Sequence, residues 1–327
     1  MQAEFGTDVL LAVTLLRAGK LVAIPTETVY GLAGNALDEP TVLRIYEAKN
    51  RPSFNPLILH THSLDGARKF FLEFPTRAVE LARRFWPGPL TLVLKKHPQV
   101  PDLLTAGLDT VAVRVPRHPL TLQLLQRLSF PLAAPSANPF GYVSPTTPAH
   151  VHEQLGDCIA YILDGGACDV GLESTIVGFD GDQPLIYRLG GLGIEEIEEV
   201  VGKVELRNTP DAKVIAPGMH HSHYAPRTPV ILGSVPELLE KWGPEDSAVL
   251  SFSTSYTGIA AGRMVVLSKK GDLREAASRL FSGLRQLDRL NLRRILAECV
   301  PDTGLGRAIN DRLKRAAAER MQNDFLP

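Results

Sequence analysis

Cysteine is scarce: three thiols, Cys158, Cys168 and Cys299, occur in 327 residues, and no two of them form a CxxC pair. That odd, scattered set argues against a disulfide framework and against a zinc knuckle, and it fits a reducing cytoplasm. Net charge is scarce too. Thirty-five basic side chains meet thirty-six acidic ones, a formal charge of −1, so no global basic field marks a tight, non-specific binder of nucleic acid. A local basic patch stays open. Every apolar run is cut by charge, proline or glycine before it could cross a bilayer, and residues 1–8 lack the basic-then-apolar pattern of a secretory leader. There is no internal repeat and no low-complexity tract. The common nucleotide loops are missing as well: there is no GxxxxGK[ST], and Gly190-Gly191-Leu192-Gly193 lacks the context of a dinucleotide fingerprint. With no GxSxG, no serine sits in a nucleophile elbow. If the chain binds ATP, it does so with side chains and strand ends instead.

What remains is a globular composition, 44% hydrophobic and 22% charged, in a chain long enough for two domains with their own cores. Capping signals and apolar spacing predict helices over 7–19, 40–48, 77–85 and 120–128. Short apolar runs predict strands at 21–24, 57–60, 90–94, 110–115, 131–134, 159–163, 175–179 and 185–188. Strands interspersed with helices and joined by long connections imply an α/β fold with a twisted, mixed sheet over 1–202. Residues 203–229, with few periodic apolar positions and several proline turns, read as an extended connector. From 230 to 327, strands at 230–232, 248–252 and 264–267 and a helix over 273–290 read as a second, smaller α/β domain.

Five stretches hold residues with chemistry. Thr26, Glu27, Thr28 and Tyr30 follow a buried strand, where ligands bind in open α/β sheets; a turn whose hydroxyls satisfy local backbone groups is the plainer reading. Lys49 ends a helix, and dipole stabilisation suffices to explain it. Arg51, Ser53 and Asn55 are interleaved with Pro52 and Pro56 and gather donors suited to a polyphosphate. Arg114 shares one face of its strand with Thr110 and Ala112. A buried arginine there needs an anion, either a protein carboxylate or a substrate's. Ala134, Ser136 and Asn138, followed by Ser144, offer small residues and neutral donors as the chain leaves a strand. Glu173-Ser174-Thr175 leads into another strand, with Arg188 closing the next. His220, His221 and His223 match no strong metal-ligand spacing and have no acidic or cysteine companions, so no metal site is expected.

Together, PTETVYGL (25–32), KNRP (49–52) with NPL (55–57), WPGPLT (86–91), AGLDTVAVRVP (106–116), APSAN (134–138), ESTIV (173–177) and HYAP (223–226) resemble the Sua5/YrdC family, in its long two-domain form. The resemblance implies a YrdC-like catalytic domain, a connector folding over the active site, and a Rossmann-like C-terminal domain. It implies a nucleotidyltransferase that makes threonylcarbamoyl-AMP from ATP, L-threonine and bicarbonate, with Mg²⁺ bound through the ATP phosphates. The family's KxR…SxN motif falls on Lys49, Arg51, Ser136 and Asn138, the expected catalytic set. Arg51, Asn55, Thr110, Ser136, Ser144, Arg188, His223 and Tyr224 are the expected ATP contacts. Thr28, His60, Arg114, the backbone at Ala134, and Ser174 are the expected threonine contacts. The implied setting is cytoplasmic tRNA processing, with a downstream threonylcarbamoyl transferase complex as partner and a weak contact with tRNA or double-stranded RNA. Two rivals remain: a carbamoyl-transfer domain of the hydrogenase-maturation type, and a double-stranded RNA-binding module without catalysis. The first is normally joined to acylphosphatase-like and zinc-finger segments, which are not visible here. The near-neutral charge counts against the second.

Overall fold

A computed structural model of the chain describes residues 3–52, 54–207 and 224–318. His220, His221, His223 and Ser53 lie outside the described residues. The chain divides into two units. In the first, the strands are β1 (Glu4–Gly6), β2 (Val22–Ile24), β3 (Gly31–Asn35), β4 (Ile58–His60), β5 (Leu90–Lys95), β6 (Thr110–Arg114), β7 (Leu132–Ala133), β8 (Tyr161–Leu163), β9 (Thr175–Asp180), β10 (Gln183–Arg188) and β11 (Glu205–Leu206). Among the described residues they form one mixed sheet, ordered β1-β8-β2-β3-β7-β4-β6-β5-β9-β10-β11.

The expected strands are present with edges moved by a residue or two, because alternation reports burial better than it reports where pairing stops. β3 is an addition. Its sequence, Gly-Leu-Ala-Gly-Asn, has little β propensity, and tertiary packing decides instead. A Cβ built on Gly34 would lie 2.5 Å from Thr41 Cγ2 and 3.1 Å from Leu21 Cδ2. Only glycine lets the helix Glu39–Lys49 lie this close to the sheet. That helix is capped by Asp38, whose side chain accepts from Thr41 N, and it ends at Asn50 in the left-handed region, φ 48°. Residues 205–206, expected at the start of the connector, instead pair parallel with β10 as an edge strand.

The second unit carries β12 (Val230–Leu232), β13 (Ser247–Ser251), β14 (Met264–Val266) and β15 (Arg294–Ala297), all parallel, in the order β12-β15-β13-β14. The helices Leu273–Asp288 and Leu305–Ala317 bury apolar faces that include Leu280, Phe281, Leu284 and Ile309. Residues 141–144 and 170–172 group with this unit although they lie far upstream in sequence. Among the described residues, no helix is long and apolar enough to cross a membrane.

Candidate active site

Strand order brings the chemistry of the first unit together. β4 and β6 run parallel with His60 in register with Arg114, and β5 places Thr91 opposite Arg114 on the other side. The loop leaving β2 carries Thr26, Glu27 and Thr28 to the same place. Arg114 Nη1 donates to Thr28 Oγ1 at 2.9 Å, Nε donates to Gly88 O at 3.2 Å, and Nη2 lies 2.7 Å from Glu27 Oε1. The Glu27 and Arg114 side chains are both almost fully buried. The anion that Arg114 requires is thus Glu27, whose other oxygen accepts from Arg117 N at 3.0 Å. Glu27 entered the sequence reading only as a polar loop residue. Its pairing was hidden because a contact between distant residues leaves no local pattern.

Proton accounting then fixes what Thr28 can offer. Thr26 donates its single hydroxyl proton to Val29 O at 2.6 Å, so in the 2.8 Å contact between Thr26 and Thr28 the donor is Thr28. Thr28 therefore has only lone-pair capacity left to offer. The same holds for His60. Its Nδ1 lies 3.1 Å from Ile58 O, a pure acceptor, so Nδ1 carries the proton and Nε2 a lone pair. Burial first, then the charge of Arg114, lowers the His60 pKa to about 3, so the ring is neutral at physiological pH. At Ala134 the N–H is bound to Ile58 O at 3.1 Å, which leaves its carbonyl as the group able to face a ligand. Ser174 is gripped from two sides: its hydroxyl is 2.7 Å from Thr91 Oγ1, and Arg188 Nη2 donates to it at 3.1 Å. Thr91, buried within an apolar strand, is a second residue that the sequence did not single out.

A second cluster forms where the helix Glu39–Lys49 ends. Lys49 is buried, and its ammonium donates to the backbone carbonyls of Ser136, at 2.5 Å, and Asn138. Phe140 N returns a bond to Lys49 O at 2.8 Å. Burial, with the charge of Arg51 adding to it, pushes the Lys49 pKa well below the usual lysine value. Lys49 thus straps the helix end to the 136–138 loop, beyond the dipole role its position suggested. Arg51 donates to Asn55 Oδ1 at 2.6 Å and to Pro56 O at 3.0 Å, which holds Asn55 fully buried. Among the described residues, Asn55 Nδ2 has no hydrogen-bond partner, a donor held ready for a ligand. The loops of the two clusters touch: Gly31 bridges to Ser136, and Ala137 N donates to Tyr30 O at 2.8 Å. Thr110 lies at the far end of β6 from Arg114, four residues or about 13 Å along the strand.

Ser144 and Tyr224 belong to the other unit. Tyr224 is packed inside it, 1% exposed, with its ring centroid 5.6 Å from that of Phe281 and the Arg312 guanidinium 4.7 Å from its centre.

Residues 14–190 match a family profile described as "Telomere recombination" that unites Sua5, YciO and YrdC, and residues 192–318 match the "Threonylcarbamoyl-AMP synthase, C-terminal domain" profile. The chain belongs to the Sua5/YrdC family. It is 44% identical to the threonylcarbamoyl-AMP synthase of Pyrococcus abyssi over 326 residues, covering 95% of this chain and 94% of that one. It is 41% identical to the enzyme of the same name from Bacillus subtilis, covering 95% and 93%. The crystal structure of P. abyssi Sua5 complexed with L-threonine superposes with a TM-score of 0.90 at 42% identity, covering 98% of both chains. The match spans both profiles, so the two-domain Sua5 form is present, and the protein is an enzyme of the threonylcarbamoyl-AMP synthase type.

Proposed function

We propose that the protein condenses L-threonine, bicarbonate and ATP into threonylcarbamoyl-AMP and pyrophosphate, the first step in forming N6-threonylcarbamoyladenosine in tRNAs that read ANN codons. The observation that carries this reading is the pairing of two clusters on adjoining loops. One presents acceptors and an arginine fork (Thr28, His60, Ala134, Arg114), suited to an amino acid. The other presents Arg51, Ser136 and Asn55 Nδ2, donors suited to phosphate.

In this reading threonine's ammonium and hydroxyl meet the acceptors at Thr28 Oγ1, His60 Nε2 and Ala134 O, while its carboxylate meets the remaining N–H groups of Arg114 and the Ser174 hydroxyl. The neutral imidazole of His60, too weak a base to take the proton itself, orients the amine through its Nε2 lone pair; the ammonium's proton goes to bicarbonate, which releases water and carbon dioxide, and the free amine captures the carbon dioxide as a carbamate. A carbamate oxygen then attacks the α-phosphate, and pyrophosphate leaves. No covalent enzyme intermediate is required. The protein contributes alignment and cationic charge from Arg51, with Lys49 holding the 136–138 loop in place. ATP would extend from this centre toward Thr110, held also by Ser144, Arg188 and the 223–224 pair. Mg²⁺ travelling on the phosphates would neutralise charge on the leaving pyrophosphate. The donors of the second cluster fit phosphate oxygens, so the ion would be held by phosphates and water. Chelation with EDTA should abolish turnover and added Mg²⁺ restore it; turnover indifferent to EDTA would remove the ion from this scheme.

The product passes to a tRNA threonylcarbamoyl transferase complex, in the cytoplasm, and a weak contact with tRNA or double-stranded RNA belongs to the same proposal. Binding of RNA that weakens steeply with salt would support that contact. The activity itself is tested by pyrophosphate release from ATP with threonine and bicarbonate each supplied or withheld. Release that requires both supports the reaction, and release with threonine alone after carbon dioxide is stripped out would replace it with simple amino-acid adenylation.

A further inference from the structure

Among the charged side chains that the second unit buries and the reaction scheme leaves unused are Arg285 and Asp288, one helical turn apart on Leu273–Asp288. Both act on residues 141–144, the short segment that carries Ser144. Arg285 Nη2 donates to Val143 O, and Nε donates to Ser144 O at 3.3 Å. Those two carbonyls belong to the peptide planes on either side of the Ser144 α-carbon. Two planar peptides joined at one carbon have only φ and ψ between them, so one guanidinium sets both angles and with them the direction of the Ser144 side chain. Val143 and Ser144 are themselves fully buried.

Asp288 braces the same segment from its other end. Its Oδ2 accepts from Tyr142 Oη at 2.5 Å, and its Oδ1 accepts from Thr228 N at 2.7 Å. Both carboxylate oxygens are therefore engaged, one by the 141–144 segment and one by the backbone that leads into β12. The Tyr142 ring lies under the Arg285 guanidinium, 4.9 Å from its centre. Ala225 N closes the arrangement with a bond to Gly141 O at 2.9 Å. A guanidinium is poorly exchanged for other cations in such a place, because a planar fork reaches two carbonyls at once and an ammonium does not. Burying a charged pair to hold a loop of four residues is expensive for stability alone, and a hydrophobic plug would fill the space.

We infer that Arg285 and Asp288 are positioning residues for Ser144, and that this positioning sets the hold of Ser144 on the nucleotide. The inference rests on the reading of Ser144 as a nucleotide ligand.

The test uses the full-length enzyme and three variants: Ser144→Ala, Tyr142→Phe and Arg285→Lys. Tyr142→Phe keeps the ring beneath Arg285 and removes the hydroxyl that donates to Asp288, so it is the variant that folds most safely. The Michaelis constants for ATP and threonine, kcat and the melting temperature are measured for each. The ATP constant should rise about three- to tenfold in Tyr142→Phe and about tenfold or more in Arg285→Lys, with the threonine constant within about twofold of wild type. Ser144→Ala should raise the ATP constant in the same way. If Ser144→Ala leaves that constant unchanged, the nucleotide reading of Ser144 falls and the inference with it. If Ser144→Ala raises it while Tyr142→Phe and Arg285→Lys match wild type, the inference alone is overturned. A lower melting temperature with both Michaelis constants unchanged would reduce the pair to a structural brace and overturn it as well.

Discussion

His60 is an imidazole held neutral by its surroundings, and this has a consequence for stability. Its pKa falls from 6.5 to about 3 on folding, through burial and the charge of Arg114. Between those values the unfolded chain takes up a proton at this residue and the native chain does not, so stability is full above pH 6.5 and declines as the pH drops. From about pH 7 to pH 5 the loss at this residue should be about 2 kcal/mol. Urea unfolding at both pH values should show that wild type loses this much more than His60→Asn; equal losses would mean that the imidazole is not held neutral. Glu27 offers a second test at this scale. Glu27→Ala leaves Arg114 charged and buried without its carboxylate, which should cost about 3–5 kcal/mol. A melting temperature unchanged from wild type would show that Glu27 is not the anion Arg114 relies on. The need of Arg114 for an anion was legible in the sequence, because arginine on an apolar strand is costly unless paired. The identity of the anion was not, since nothing local to Glu27 or Arg114 records which strands become neighbours. The acceptor character of Thr28 was equally hidden, as it follows from where Thr26 sends its one proton.

Elements were legible where their pattern was strong. β5 and β6 alternate or run apolar through their length, and the capped helix Glu39–Lys49 announces itself by Asp38 and by the proline near its start. β3 was not legible, because glycines give a strand no side chains to be recognised by, and β15 begins on an arginine after another arginine. The role of Gly34 appears only once the helix is seen against the strand. Gly34→Ala would set a methyl group 2.5 Å from Thr41 Cγ2, and relief of that overlap should cost about 1–3 kcal/mol. Because the same helix delivers Lys49 and Arg51, the shift should raise the ATP Michaelis constant together with the loss of stability. A variant with wild-type melting and kinetics would show that helix and strand have room to spare. Ser144 was legible as a neutral donor following Ser136 and Asn138, but the unit to which residues 141–144 belong was not. Their membership in the C-terminal unit depends on Arg285 and Asp288, side chains that no local pattern connects to them.

At the scale of the whole chain, the change of texture after residue 201 pointed to two units, which divide near residue 219, and the family followed from seven short stretches that no single motif search would weigh together. Composition alone said little beyond the scarcity of cysteine, of net charge and of long apolar runs. The account's central claim is that one site joins three substrates, with carbon from bicarbonate ending between threonine and AMP. The most direct measurement is mass spectrometry of the adenylate formed from ATP, L-threonine and carbon-13 bicarbonate. The account predicts threonylcarbamoyl-AMP, heavier by the label, with pyrophosphate in equal amount. An adenylate without the labelled carbon, or pyrophosphate released with no adduct formed, would contradict it.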